Sequence, residues 1–193
     1  MAIAINGSSN TITGLAVGGL PDASVTAADL ASGLASQGIT MADSWRVTSN
    51  SSLDNGYNYL TSNWERCDTA GFGQIGTGMT QSGGVFTFPS TGIYKLNFGA
   101  YAHDSGSCAI NGVHIHTTVD NGSNYVFASN AYFNIADISS YNYGFGFVEF
   151  IFDVTNVSTH KARFVLYAGS SVVFEGSTTG NSTYATFTRL GNT

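Results

Sequence analysis

The segment Ile93–Tyr101 alternates in strict period two. Tyr94, Leu96, Phe98 and Ala100 share one face, and Lys95, Asn97 and Gly99 fall on the other. Period two is the signature of a strand with one buried face. The run follows Val85–Phe88 and the turn Pro89-Ser90-Thr91-Gly92, so two strands are joined by a tight connection. Composition extends that reading to the whole chain. Only 9% of the 193 residues are charged, against roughly 25% in an ordinary domain. Gly, Ser, Thr and Asn supply 84 residues, and there are 13 Phe and 10 Tyr. Lys, Glu and Arg, which clothe exposed helix faces, are scarce, so an all-β protein is expected. With 42% apolar residues the chain can bury a core and is not disordered. A net charge of −6 with six Lys+Arg argues against nucleic-acid partners and against anionic membranes.

Further strands are expected at Ser44–Val47, Tyr59–Cys67, Lys161–Ala168, Val172–Glu175 and Thr183–Leu190. Ala109–Val119 and Tyr125–Ile135 flank Asp120-Asn121-Gly122, a hairpin signal. Gly144–Val154 is apolar on both faces, as for a strand buried between two sheets. Gly71–Gly84 reads as a glycine-rich loop. This spacing of strands and turns predicts a two-sheet jelly-roll sandwich over residues 42–193.

Residues 1–41 differ, with no aromatic residue and no Lys or Arg. Ala2–Ile5 and Asn10–Val17 read as short extended pieces of an N-terminal arm, and Pro21-Asp22 as a turn. Thr26-Ala27-Ala28-Asp29 is a capping-box pattern, and Leu30 and Leu34 follow at i, i+4 before Gly38. One short helix is expected there. So short a helix needs a partner for its stripe, and Leu15, Val17, Leu20, Leu30 and Leu34 are the candidates for anchoring or trimerisation. The apolar residues of Met1–Gly19 are interrupted by polar ones and carry no basic flank, so neither a signal peptide nor a membrane insertion is expected. Cys67 and Cys108 read as free, buried small hydrophobes; a disulfide would require their strands to be neighbours.

Several motifs match without their context. Gly71-Phe72-Gly73-Gln74-Ile75-Gly76 has the spacing of a dinucleotide loop, but no helix pattern follows. Ser158-Thr159-His160-Lys161 precedes a strand rather than opening a helix and reads as a turn. Glu149 and Asp153 are the inward-facing acids closest to each other, about 13 Å apart on a strand, which suits neither glycosidase geometry. The expectation is a protein that is not an enzyme.

Two features carry candidate binding chemistry. In Gly112-Val113-His114-Ile115-His116 the two imidazoles point to one face of a strand, about 6–7 Å apart. Three chains around an axis would offer six such ligands, enough for an octahedral transition-metal ion; otherwise these are two partly exposed histidines on a sheet face. The aromatics Tyr57, Tyr59, Trp64, Tyr141 and Tyr143 fall in expected loops. There they would either stack on sugar rings, as in a ligand-binding site, or pack against a neighbouring subunit or a long loop.

The hairpin Gly84-Val85-Phe86-Thr87-Phe88-Pro89-Ser90-Thr91-Gly92-Ile93-Tyr94 resembles the F-x-x-P-x-x-G-x-Y hairpin of C1q/TNF-like jelly-roll domains. Tyr184–Gly191 and Phe150–Lys161 are similar to the versions found in structural proteins of marine and cyanobacterial phages, and Asn10–Asp22 looks like the leader that precedes tail-fibre and head-decoration domains. The resemblance implies a homotrimer. It also implies a tailed-phage virion protein, made in the host cytoplasm and displayed on the particle surface. That protein would be a tail fibre or fibre tip contacting a host-surface glycan, or alternatively a capsid decoration protein held to other virion proteins by its arm. H-x-H motifs occur in trimeric phage fibre tips, where they bind iron on the axis, and Gly112–His116 matches that pattern once.

Overall fold

A computed structural model describes residues 4–6, 11–13 and 38–193. The chain divides between Gly38 and Ile39. In the first unit β1 (Ala4–Asn6) pairs antiparallel with β2 (Thr11–Thr13), Ala4 opposite Thr13. The expected capping box, the helix and Leu15, Val17, Leu20, Leu30 and Leu34 lie outside the described residues.

The second unit contains β3 (Ala42–Val47), β4 (Ser51–Leu53), β5 (Gly56–Tyr59), β6 (Trp64–Arg66), β7 (Thr80–Ser82) and β8 (Val85–Thr87). It continues with β9 (Gly92–Asp104), β10 (Cys108–Thr118), β11 (Val126–Ile135), β12 (Asn142–Val154), β13 (Lys161–Ala168), β14 (Val172–Phe174) and β15 (Thr183–Gly191). It begins just before the expected boundary. The reason is Met41, which is buried in the core and whose carbonyl accepts from the Arg189 backbone N–H.

Two antiparallel sheets form a jelly-roll sandwich. One runs β4-β14-β9-β15-β3-β6, with β12 paired along the other edge of β9. The second runs β11-β10-β13-β8-β7, with β5 also on β13. The alternation of β9 works as its sequence requires: Tyr94, Leu96, Phe98 and Ala100 are wholly buried. Phe86 and Phe164 from the β10 sheet meet Phe98 and Phe187 from the β9 sheet, with ring centroids 4.9–5.8 Å apart. Tilted and edge-on pairs of this kind add to the burial of their area. Much of the phenylalanine surplus is therefore spent inside a single chain.

Four expectations are corrected. Tyr59–Cys67 is not one strand. It is β5 and β6, separated by a bend in which Asn63 adopts a left-handed φ of 61°. The glycine-rich stretch before β8 contains β7, which pairs with β8. On β12 the even-numbered residues from Asn142 to Val154 face inward and the odd-numbered ones are exposed. The strand is therefore apolar on both faces but covered on only one. Glu149 and Asp153 consequently point outward rather than inward, and Glu149 Oε2 lies 2.7 Å from Lys95 Nζ. Cys67 and Cys108 are free and buried. Among the described residues, no helix is long and apolar enough to cross a membrane.

Candidate functional site

The outward faces of the two sheets differ in chemistry. On the β9 sheet, β12 displays Tyr143, Phe145, Phe147 and Ile151, each 45–56% exposed. Period two puts the four in one row, with Glu149 between Phe147 and Ile151. Tyr143 lies in parallel stacking with both Tyr101 and Tyr141. Phe145 and Tyr184 reach over Gly99, where a Cβ would stand 2.8 Å from the Phe145 ring. His103 Nδ1 lies 2.6 Å from Glu175 Oε1 beside this cluster. Burial, then the nearby Tyr143 and Glu175, raise the Tyr101 hydroxyl above its ordinary pKa.

On the β10 sheet, Val113 and Ile115 enter the core and Gly112, His114 and His116 take the opposite face. Neither imidazole is half-exposed as expected: His114 is 0% and His116 3% exposed. Their cover comes from other strands. Tyr57, Phe127 and Tyr132 pack edge-on around His114 at 5.2–5.6 Å. Phe127 lies 4.2 Å from His116, and Tyr59 is 6.1 Å away. Arg163 sits over Tyr59 and Tyr125 at 4.3 and 3.7 Å. Burial lowers the pKa of both histidines to about 4; for His116, Arg163 and His114 add to the effect. All four ring nitrogens are buried without a hydrogen-bond partner among the described residues, which is costly unless something meets them.

The imidazoles are 6.2 Å apart, and among the described residues no group of three His, Cys, Asp or Glu is placed to hold a metal. Two imidazoles under an aromatic lid do not close a metal coordination shell within one chain. His114 and His116 also lie on the sheet opposite the one that carries the β12 row.

The five aromatics singled out from the sequence do not form one cluster. Tyr57 and Tyr59 lie on the outward face of the β10 sheet, on a strand rather than a loop. Trp64 begins β6, packs edge-on against Phe86 at 5.1 Å, and donates its indole N–H to the Leu60 carbonyl. Its role is therefore core packing. Tyr141 precedes β12 and Tyr143 belongs to it, on the other sheet.

Beside His114 a cleft of 470 Å³ opens between Tyr57, Ile110, Tyr132, Asn134 and Tyr167. Its position follows from register. Gly112 is opposite Tyr132 on β11 and Tyr167 on β13, and Tyr167 is opposite Tyr57 on β5. A Cβ on Gly112 would stand 2.7 Å from His114 Nε2 and 2.9 Å from the Tyr132 ring, so those two rings already fill its place. Tyr132, Asn134 and Tyr167 were not visible in the sequence, because their convergence depends on how four strands align.

No protein-family model matches the chain, and no curated protein matches it. Solved structures do. Murine APRIL at pH 5.0 aligns with a TM-score of 0.56 at 14% identity, covering 78% of this chain and 98% of that one. Eiger TNF from S. frugiperda aligns at 0.56 and 11% identity, covering 81% and 96%. The PRD1 vertex protein P5 aligns at 0.48 and 15% identity, covering 80% and 99%, too slight a likeness to add to the argument. The chain has the TNF-like jelly-roll fold.

Proposed function

We propose that the chain is a structural protein of a tailed-phage virion, assembling as a homotrimer and contacting the host surface as a tail fibre or fibre tip. The observation that carries the assembly is the exposed row Tyr143, Phe145, Phe147 and Ile151 on β12. Full burial of one such side chain is worth about 1.5–3 kcal/mol, and the run Tyr143, Phe145 and Phe147, with Ile151 beyond Glu149, is an exposed apolar patch that calls for a partner. Copies of the same chain are the simplest cover, since closed cyclic assemblies place one patch against another in every subunit. The virion assignment rests on the resemblance carried by Tyr184–Gly191, Phe150–Lys161 and Asn10–Asp22. Residues 1–41 would hold the neighbouring virion proteins. No catalytic role is assigned to the chain.

Light scattering on the purified chain tests the assembly: a mass of three chains is expected, and a monomer overturns it. Virions imaged with a label at the C-terminus test the location. A signal at the tail supports the fibre. A signal spread over the capsid overturns it in favour of a decoration protein.

A further inference from the structure

The face of the β10 sheet turned away from the core holds a second buried cluster. Val165 on β13 is opposite His114, and Arg163 is opposite His116. Val165, His114 and His116 are buried, yet none belongs to the core between the sheets. The two imidazoles are covered by one layer of side chains, Tyr57, Tyr59, Phe127 and Tyr132, each itself 45–54% exposed. Tyr57 and Tyr59 ride on β5, which is four residues long and pairs only with β13 among the described strands. Leu53 and Leu60, just outside residues 54–59, are held in the core. The segment between them is a flap fixed at both ends.

The charge around the histidines has one sign. The six strands of this sheet contain no Asp and no Glu. The titratable groups on the strands packed beside the pair are Lys161, Arg163 and Tyr167 of β13, Tyr57 and Tyr59 of β5, and Tyr132 of β11. Tyr125, just before β11, lies against Arg163. Asp120, two residues past β10, is held by Thr118 and Asn124. A proton added to either imidazole therefore meets no carboxylate on its own sheet. A buried cation without a counter-charge is costly, and lifting a half-exposed cover to admit water costs less than opening the core.

We propose that this cover is an acid-operated latch: protonation of His114 and His116 lifts β5 and its two tyrosines from β13, so that water reaches the imidazoliums while the core between the sheets stays closed. Under the closed cover the histidines titrate near 4, and in water at about 6.5. The open form binds more protons, so falling pH favours it across that window, by up to about tenfold per pH unit for each histidine. The latch lies on the sheet opposite the β12 row, so its test reads the same in a monomer or a trimer.

Native-state hydrogen exchange of the full chain is measured at pH 6.5 and 4.5, with and without low urea. A local opening exposes little surface and responds weakly to urea. The amides of Gly56–Tyr59 are expected to be less protected than those of β9 and insensitive to low urea. Corrected for intrinsic exchange, their protection is expected to fall at least tenfold at the lower pH. In His114→Gln, His116→Gln the pH response disappears; in His103→Gln, His160→Gln, which removes the other two histidines, it stays. Should the first variant not fold, the unaltered chain decides: a pH slope of one to two linked protons supports the latch, and a slope near zero overturns it. The proposal is also overturned if Gly56–Tyr59 and β9 share one protection and one urea dependence, or if the response survives in folded His114→Gln, His116→Gln.

Discussion

Tyr143 lies parallel to Tyr101, with ring centroids 5.3 Å apart and planes 10° from parallel. The two belong to adjacent strands, and Tyr143 is 56% exposed. Their stacking fixes the end of an apolar row while leaving its outer side uncovered. Phe147→Asp and Ile151→Asp place a charge in that row at positions 45% and 51% exposed. Each is expected to leave the fold of one chain within about 1 kcal/mol of its original stability and to convert the assembled species to monomer, as read by sedimentation or light scattering.

Asp43 is a buried anchor for the edge formed by β3 and β6. Its carboxylate accepts from Trp45 Nε1 at 2.9 Å, the Met79 backbone N–H at 2.8 Å and Arg66 Nε at 3.0 Å. The side chain is 0% exposed. Asp43→Ala strands these donors and leaves Arg66 without its carboxylate, with only the Met79 carbonyl to accept from it. A loss of about 3–5 kcal/mol is expected in urea unfolding, the range for breaking a buried pair.

Gly83 and Gly84 turn the chain between β7 and β8 and bear different constraints. Both have positive φ, 57° and 79°. Around Gly83 there is open space, whereas a Cβ on Gly84 would stand 2.1 Å from the Leu60 carbonyl oxygen. Gly83→Ala is expected to cost about 1 kcal/mol for the left-handed backbone alone. Gly84→Ala is expected to cost more than about 2 kcal/mol, since backbone must also move. Paired thermal melts check the difference.

Acid should weaken the fold in two stages. His114 and His116 titrate near 4 when folded, below their ordinary 6.5. The unfolded chain therefore takes up protons first, and stability falls as pH drops from about 6.5 to about 4. Asp120 titrates near 2, held down by the Thr118 hydroxyl and by the Asn124 backbone and side chain. Its contribution is present above its ordinary value and lost as pH falls from about 4 towards 2. The double variant His114→Gln, His116→Gln should flatten the upper stage and spare the lower one. An unaltered upper stage in that variant would assign it to other groups.

The sequence shows the fold wherever one side of a strand is buried by its own chain. In β9, Tyr94, Leu96, Phe98 and Ala100 were legible because burial and period agree. In β12 the same logic misled. A period shows that a face is apolar, not what covers it, so the outward Phe145 and Phe147 read like the inward Val148 and Phe152. The break between β5 and β6 was hidden because a single left-handed Asn63 interrupts an otherwise strand-like run. The H-x-H spacing drew attention to His114, but not to its aromatic cover from Tyr57, Phe127 and Tyr132, which comes from other strands. Register between strands far apart in the chain is information that no local pattern carries.

The strand last in chain order, β15, occupies the middle of its sheet, between β9 and β3. Arg46 on β3, wholly buried, is likewise closed over by the carbonyl of Thr178, from the segment that leads into β15. During synthesis β3 and β6 have no neighbour across that gap until residue 191 has emerged from the ribosome. A prematurely terminated chain lacks the centre of its sheet rather than a margin.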